Sequence, residues 1–132
     1  MTLAVADTSV WSRRAQPMVG GTLARAIEAD EIGTIDPIVL ELLRSARDAH
    51  DLVSLAAEYG ALHRIEVTPA ISARAREVQR ALSFRGYHRG PSAVDLLAAA
   101  AAEDVGAELW HCDRHFELIA EVTGQPLRRL GE

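Results

Sequence analysis

Short apolar runs alternate along this chain with longer stretches of helical spacing. "TLAVAD" (2–7) is apolar up to its final aspartate and predicts a buried strand. A turn or short helix is expected through "TSVWSRRAQP", after which "VGGTLARAIEADEI" sets Leu23, Ala26, Ile27 and Ala29 at a helical spacing. "IGTI" (32–35) predicts a second strand. Asp36 followed by Pro37 predicts a helix start, with aspartate as N-cap and proline in the first helical position, opening "IVLELLRSAR". A further helix is expected from about Ala49 to Leu62, and "RIEVTP" (64–69) alternates up to its proline as a third strand would. Residues 70–84 carry Ile71, Ala75, Val78 and Leu82 on one stripe, and "RGYHRGP" reads as a loop. Ser92 to Gly106 predicts a helix stopped by its glycine. "AELWH" (107–111) is a fourth strand, "FELIAEVTG" a helix and "QPLRRL" a last short strand.

Strands that alternate with helices imply βα units and an α/β fold, with a mainly parallel sheet of four to five strands covered on both faces. The chain contains no internal repeat, low-complexity segment or linker. Residues 1–132 are therefore expected to form a single domain, long enough to bury a real core.

Composition changes this picture only in places. The hydrophobic fraction of 48% and charged fraction of 25% are ordinary for a soluble globular protein. Cys112 is the only cysteine, so no disulfide forms within the chain, which fits a reducing compartment. "MTLAVADTSVW" lacks a basic n-region and its apolar run is broken by Asp7, so it does not read as a signal peptide. The longest apolar run, Leu96 to Ala102, is far short of the roughly 20 residues that cross a bilayer. A cytoplasmic location without membrane association is the expectation. The net charge of −5 argues against a generic nucleic-acid coat but leaves room for a local basic surface. All 14 basic residues are arginine. Their forked donors suit phosphates, although a GC-rich genome produces the same bias. With no lysine, the chain has neither a P-loop nor a lysine-based phosphate-receiver pocket.

The candidate chemistry lies in the acids. Asp7 ends the first strand and Asp113 follows the fourth. In open α/β sheets, ligands bind beyond the carboxyl ends of the strands. Glu41 interrupts the apolar run "IVLELL", and Asp95 precedes "LLAAAAA" in the first turn of its helix. Four carboxylates converging without cations would repel one another and so call for a divalent metal. Their hard oxygens favour Mg²⁺ or Mn²⁺. Each acid also has a plainer role open to it. Ser92 and Asp95 match an S-x-x-D capping box; Asp7 and Asp113 can each cap the helix after their strand; Glu41 can pair with Arg44 in solvent. "LWHCDRHF" (109–116) suggests zinc at first sight. Neighbouring strand residues point to opposite faces, however, and no second Cys or His pair completes a tetrahedral set. His111 and Cys112 are expected to serve packing and the turn.

Taken together, "ADTSVW", "IVLELLRSAR", "ALSFRGYHRGPSAVDLLAAAAAEDVGAEL" and "LWHCDRHFELIAEVTGQP" resemble PIN-domain proteins, in particular VapC-type toxins of bacterial toxin–antitoxin pairs. The layout resembles the actinobacterial branch, whose final segment often reads H-Y-D-x-D-F. This resemblance covers nearly the whole chain. It implies a three-layer α/β/α sandwich and Mg²⁺- or Mn²⁺-dependent endoribonuclease activity, with transfer or ribosomal RNA as the typical target. By position, Asp7, Glu41, Asp95 and Asp113 match the catalytic acids, with Asp7, Asp95 and Asp113 as metal ligands. Ser9 matches the small hydroxyl residue that supports the first acid or the metal-bound water. His115 stands where many relatives carry another aspartate, which removes a negative charge and bears on a second metal site and on the choice of metal. The implied partners are a VapB-type antitoxin, which masks the acidic pocket, and a second copy of the chain, giving a homodimer and a toxin–antitoxin hetero-oligomer.

An RNA substrate needs cations. Arg13 and Arg14 beside the first strand, Arg44 near Glu41, and Arg85, His88 and Arg89 in "FRGYHRG" are the candidates, with Tyr87 available to stack on a base. Two other readings compete: a PIN protein weakened in catalysis that acts by binding alone, favoured by His115, and a small-molecule phosphatase. The second lacks a D-x-D nucleophile motif, because Thr8 and Ser9 follow Asp7.

Overall fold

The computed structural model describes residues 2–131; Met1 and Glu132, the two ends of the expected domain, lie outside the described residues. Five strands, β1 (Ala4–Ala6), β2 (Ile32–Thr34), β3 (His63–Arg64), β4 (Glu108–His111) and β5 (Leu127–Arg129), form one sheet in the order β3-β2-β1-β4-β5. Every pairing is parallel. The sequence led to a mainly parallel sheet of four to five strands; the sheet has five and is wholly parallel. Seven helices connect the described strands: α1 (Thr8–Ser12), α2 (Pro17–Glu28), α3 (Asp36–Leu43), α4 (Ala49–Gly60), α5 (Pro69–Ser83), α6 (Ala93–Val105) and α7 (His115–Thr123). With the right-handed crossovers that parallel βαβ units adopt, this strand order puts α1–α4 on one face and α5–α7 on the other, and the helix packing follows that grouping in a three-layer α/β/α sandwich.

The central strands are apolar because both of their faces are covered. All three residues of β1 are buried, and Leu109 and Trp110 of β4 are buried beside them. The five alanines Ala98–Ala102 of α6 are buried in a row. Their small side chains let this helix lie close to β1 and β4 with α5 and α7 packed around it. That close approach carries the N-terminal end of α6, and Asp95 with it, to the ends of the central strands.

Two of the differences from the sequence expectation have a visible cause in the fold. The helix α3 begins at Asp36 with Ile35 in the cap position and no side-chain cap bond. Asp36 does not cap because its carboxylate reaches sideways to Arg64, 2.7 Å away. The third strand is only His63–Arg64 instead of 64–69, and both residues are exposed. It is an edge strand, and Thr68 already caps α5 by accepting from the Ile71 N–H. The stop at Gly106 is as expected, in the left-handed conformation at φ 69°.

One close approach ties α2 to the segment that carries Arg14. A Cβ on Gly20 would lie 2.0 Å from the Arg14 carbonyl oxygen. Both partners are backbone, so Gly20→Ala forces a shift of α2 against α1. Overpacking of this kind costs about 1–3 kcal/mol, and urea unfolding of the variant should show a loss in that range or above it.

Candidate active site

The strand order reverses at β1, which pairs with β2 on one side and β4 on the other. The carboxyl ends of β1 and β4 are therefore the place where a doubly wound sheet opens a crevice. An open cleft of about 990 Å³ lies there, and Asp7, Glu41, Asp95 and Asp113 all line it. Tertiary structure thus brings together the four acids singled out in the sequence, from the β1–α1 junction, α3, α6 and the β4–α7 turn.

Asp7 and Asp95 also take part in helix caps, so the two roles weighed for them are compatible; α7 has Arg114 at its N-cap with no side-chain cap bond, and Asp113 accepts one backbone N–H beside it. Asp7 Oδ2 accepts from the Ser9 N–H at 2.9 Å. Asp95 Oδ2 accepts from the Ser92 N–H at 2.8 Å, and the Ser92 hydroxyl accepts from the Asp95 N–H at 3.1 Å, completing the capping box. Asp113 Oδ1 accepts from the His115 N–H at 3.0 Å. Each bond fixes a carboxylate at a helix start, where the helix dipole favours negative charge. Glu41 lines the cleft and forms no ion pair with Arg44 among the described residues. The β1 end is tied to β4 by the Asp7 N–H donating to the Trp110 carbonyl at 3.0 Å. The Ser9 hydroxyl accepts from the Cys112 N–H at 3.0 Å and holds the β4–α7 turn against α1. Ser9 is thus a strut that sets Asp113 beside Asp7.

The electrostatics are unfavourable to folding and suited to a cation. Asp7 is 1% exposed, and its Oδ1 is buried with no hydrogen-bond partner. Burial pushes its pKa up, against the lowering effect of the Ser9 and Thr8 hydrogen bonds, and Glu41 adds to the rise. Asp95 is pushed up to about 6, chiefly by burial, with Asp7 and Asp113 adding repulsion and the Ser92 bonds opposing it. Among the described residues, no three His, Cys, Asp or Glu side chains gather closely enough to hold a metal ion by themselves. The carboxylates instead ring an open cleft with one buried oxygen unpaired. That arrangement fits a hard divalent ion that keeps several waters and is held by one or two carboxylates.

His115 stands among the acids. Its Nδ1 lies 3.4 Å from Asp113 Oδ1 and 3.9 Å from Asp95 Oδ2. The ring packs against Gly90, where a Cβ would come within 3.3 Å of His115 Cδ2. Glycine at 90 therefore leaves space for the imidazole. His111 and Cys112 serve packing and the turn, as expected. His111 is buried and tilted against Phe116, and its Nδ1–H donates to the Asp113 carbonyl at 2.9 Å. Burial lowers its pKa. The Cys112 thiol donates to the Leu130 carbonyl at 3.3 Å.

The arginines divide. Arg13 and Arg14 line the cleft, but Arg14 is held by Glu58 at 2.8 Å and lies over the Trp11 ring. Arg44, Arg85, His88 and Arg89 lie outside the cleft lining. Arg85 pairs with Glu121 at 2.9 Å, while His88 and Arg89 are exposed in the α5–α6 loop that leads to Gly90 at the cleft wall. Sequence reasoning missed the apolar wall made by Trp11, Tyr59, Leu42 and Leu55. Trp11 and Tyr59 meet edge to face at 5.3 Å across α1 and α4. The available signal was Trp11 itself, one helical turn beyond Asp7.

The PIN domain model matches residues 4–122. This chain belongs to the PIN-domain family. Among its PIN relatives, Ribonuclease VapC18 of Mycobacterium tuberculosis is 42% identical over 122 residues, 91% of this chain and 89% of that protein. Ribonuclease VapC51 of the same species is 38% identical over 91% of this chain and 87% of that protein. The same PIN fold recurs in the solved VapBC2 complex of Rickettsia felis, bound to a DNA fragment from its promoter. The TM-score is 0.77 at 15% identity, with 98% of this chain and 100% of that one covered. It recurs in Mycobacterium tuberculosis VapC20, described as a sarcin-ricin loop cleaving toxin, with a TM-score of 0.62 at 22% identity, covering 86% of this chain and 92% of that one.

Proposed function

We propose that this PIN protein is a metal-dependent endoribonuclease, the toxin of a toxin–antitoxin pair. The observation that carries the reading is the convergence of Asp7, Glu41, Asp95 and Asp113 on one cleft, with a buried Asp7 oxygen left unpaired. The naming of its full-length relatives as VapC ribonucleases supports it.

Asp7, Asp95 and Asp113 are the candidate ligands of the ion, Mg²⁺ or Mn²⁺, one or two of them holding it directly and the rest through its waters, with Glu41 lining the same cleft. When bound, such an ion lowers the pKa of a coordinated water and neutralises charge on a scissile phosphate. The chain's own contribution is placement. Backbone N–H bonds hold three carboxylates at helix starts, Ser9 ties the turn that carries Asp113 to α1, and Trp11, Leu42 and Leu55 wall the cleft with apolar surface. Arg13 is at the cleft and outside any ion pair among the described residues, which suits it to an RNA phosphate. Arg14, Arg44, Arg85, His88 and Arg89 extend the cationic contacts outside it, and Arg14 and Arg85 would have to leave their glutamates to take part.

A VapB-type antitoxin is the proposed partner, in keeping with the VapBC complexes among the structural neighbours. Leu40 on α3 and Leu52 and Val53 on α4 are exposed and would offer it apolar contacts. A homodimer that joins two such toxins in a hetero-oligomer belongs to the same proposal. Among the described residues, no helix is long and apolar enough to cross a membrane.

The test is incubation of total RNA with the purified, antitoxin-free chain. Discrete fragments are expected with Mg²⁺ or Mn²⁺ and none with EDTA. Intact RNA under every metal condition, from protein shown to be folded by circular dichroism, would sink the enzymatic reading in favour of binding alone.

A further inference from the structure

The α5–α6 connection exposes two aromatic rings that the core does not use. Phe84, the C-cap residue of α5, is 80% exposed, and Tyr87 is 45% exposed. This chain has only two phenylalanines, and the other, Phe116, is fully buried. Neither exposed ring pairs with another aromatic among the described residues.

The surrounding charge is one-sided. From Val78 to Val94 the sequence holds Arg80, Arg85, His88 and Arg89 and no acid, in a chain whose net charge is −5. Among the described residues, the only carboxylate paired with these cations is Glu121, which binds Arg85. The loop is also continuous with the cleft. The Tyr87 carbonyl accepts from the Gly90 N–H at 3.3 Å, and Gly90 is the residue packed against His115 in the cleft wall. Tyr87 and Phe84 thus precede, on the same short segment of chain, a residue that lines the acidic cleft.

Flat apolar rings beside a cation such as Arg89, which forms no ion pair among the described residues, suit unstacked nucleic-acid bases, which present a π-face to the ring and a phosphate to the cation. We infer that Phe84 and Tyr87 form a base-stacking step that holds unpaired RNA nucleotides next to the cleavage cleft, with Arg89 on their phosphates. This rests on the ribonuclease reading above and extends it to Phe84, which that reading leaves unused. A duplex keeps its bases stacked on one another and cannot engage the rings, so the step would select an unpaired segment. The charge of the loop, and its continuity with the cleft, favour RNA here over an apolar protein face.

The experiment measures binding of a fluorescein-labelled RNA hairpin with an unpaired loop, and of a fully paired duplex with the same stem. The full chain is used with Asp7→Asn to keep the RNA intact. Phe84→Ala and Tyr87→Ala should each weaken hairpin binding by roughly tenfold, from the typical worth of one base–aromatic stack, and leave duplex binding unchanged. Phe84→Leu, which keeps apolar area but loses the flat face, should behave like Phe84→Ala. Phe84→Trp should bind as the parent does, and the emission it adds should be quenched by the hairpin and not by the duplex. Trp11 lines the cleft, so the quench is read as the difference between Phe84→Trp and the parent chain with the same RNA.

Unchanged hairpin affinity in Phe84→Ala, or unquenched emission in Phe84→Trp with hairpin bound, overturns the stacking step. So does full binding by Phe84→Leu, or a change in sedimentation by Phe84→Ala at constant RNA affinity, which would assign the face to a protein partner or second copy. These outcomes leave the ribonuclease reading standing when the wild-type chain still cleaves RNA. If it neither cleaves nor binds RNA, both fall.

Discussion

Asp7→Asn should lower RNA cleavage by roughly a hundredfold or more while leaving the fold at least as stable. The asparagine side chain has nearly the same volume, and its Oδ1 still accepts from the Ser9 N–H, so the cap of α1 survives. What disappears is a buried charge. Asp7 is 1% exposed, its Oδ1 has no partner, and burial raises its pKa. A charge buried without a counterion costs stability, and the variant is relieved of that cost. A merely structural aspartate would behave in the opposite way, losing stability with little effect on any reaction. Urea unfolding in EDTA, paired with fragment yield from total RNA in Mg²⁺ or Mn²⁺, separates the two. A variant that is destabilised yet still cleaves would remove Asp7 from the site.

Metal-free protein should lose stability as the pH rises from about 4 to about 6, and Asp95 should be a main cause. Its ordinary value of 3.8 is raised to about 6 in the fold. Below pH 4 both folded and unfolded chains hold the proton, and burial of this side chain carries no charge penalty. Between the two values the folded chain binds more protons than the unfolded one, so the unfolding free energy falls with rising pH. Above pH 6 the full penalty applies, on the order of 3 kcal/mol. Asp95→Asn keeps the acceptor for the Ser92 N–H and never ionises. In EDTA it should therefore be more stable than the wild type at pH 7.5, with the gap closing toward pH 4. Added Mn²⁺ should stabilise the wild type more at pH 7.5 than at pH 5, because proton and ion compete for one carboxylate, and should do little for the variant. A gap that stays constant across this range would mean that Asp95 ionises as freely in the fold as in the unfolded chain.

The site that yields both predictions was partly legible beforehand. Asp7 and Asp113 were conspicuous because a strand ending in an acid puts that acid on the rim where such sheets bind ligands. Asp95 was ambiguous. S-x-x-D is the same string whether the aspartate caps its helix or faces a ligand, and the structure has it do both. Glu41 was visible only as a break in an apolar run, and whether it met Arg44 or the cleft depended on how α3 packs. Asp36 shows the same limit from the other side. It had the local signature of an N-cap, but an arginine on a neighbouring strand drew the carboxylate away. The candidate cations were the least legible. Arg14 and Arg85 look like phosphate ligands in the sequence, and Glu58 and Glu121, 44 and 36 residues away, hold them in the fold.

By itself the sequence determined the alternation of strands and helices, and with it the parallel α/β architecture. Apolar periodicity is a local property, and right-handed crossovers leave few ways to assemble it. It also determined which acids were candidates, since strand ends and helix starts are marked by nearby residues. Only the tertiary structure decided that four acids from separate elements share one cleft, that one Asp7 oxygen is left without a partner, and that Phe84 stands in solvent while Phe116 is enclosed. Those outcomes depend on contacts between residues far apart in the chain, and no local pattern records which surfaces the packing will cover.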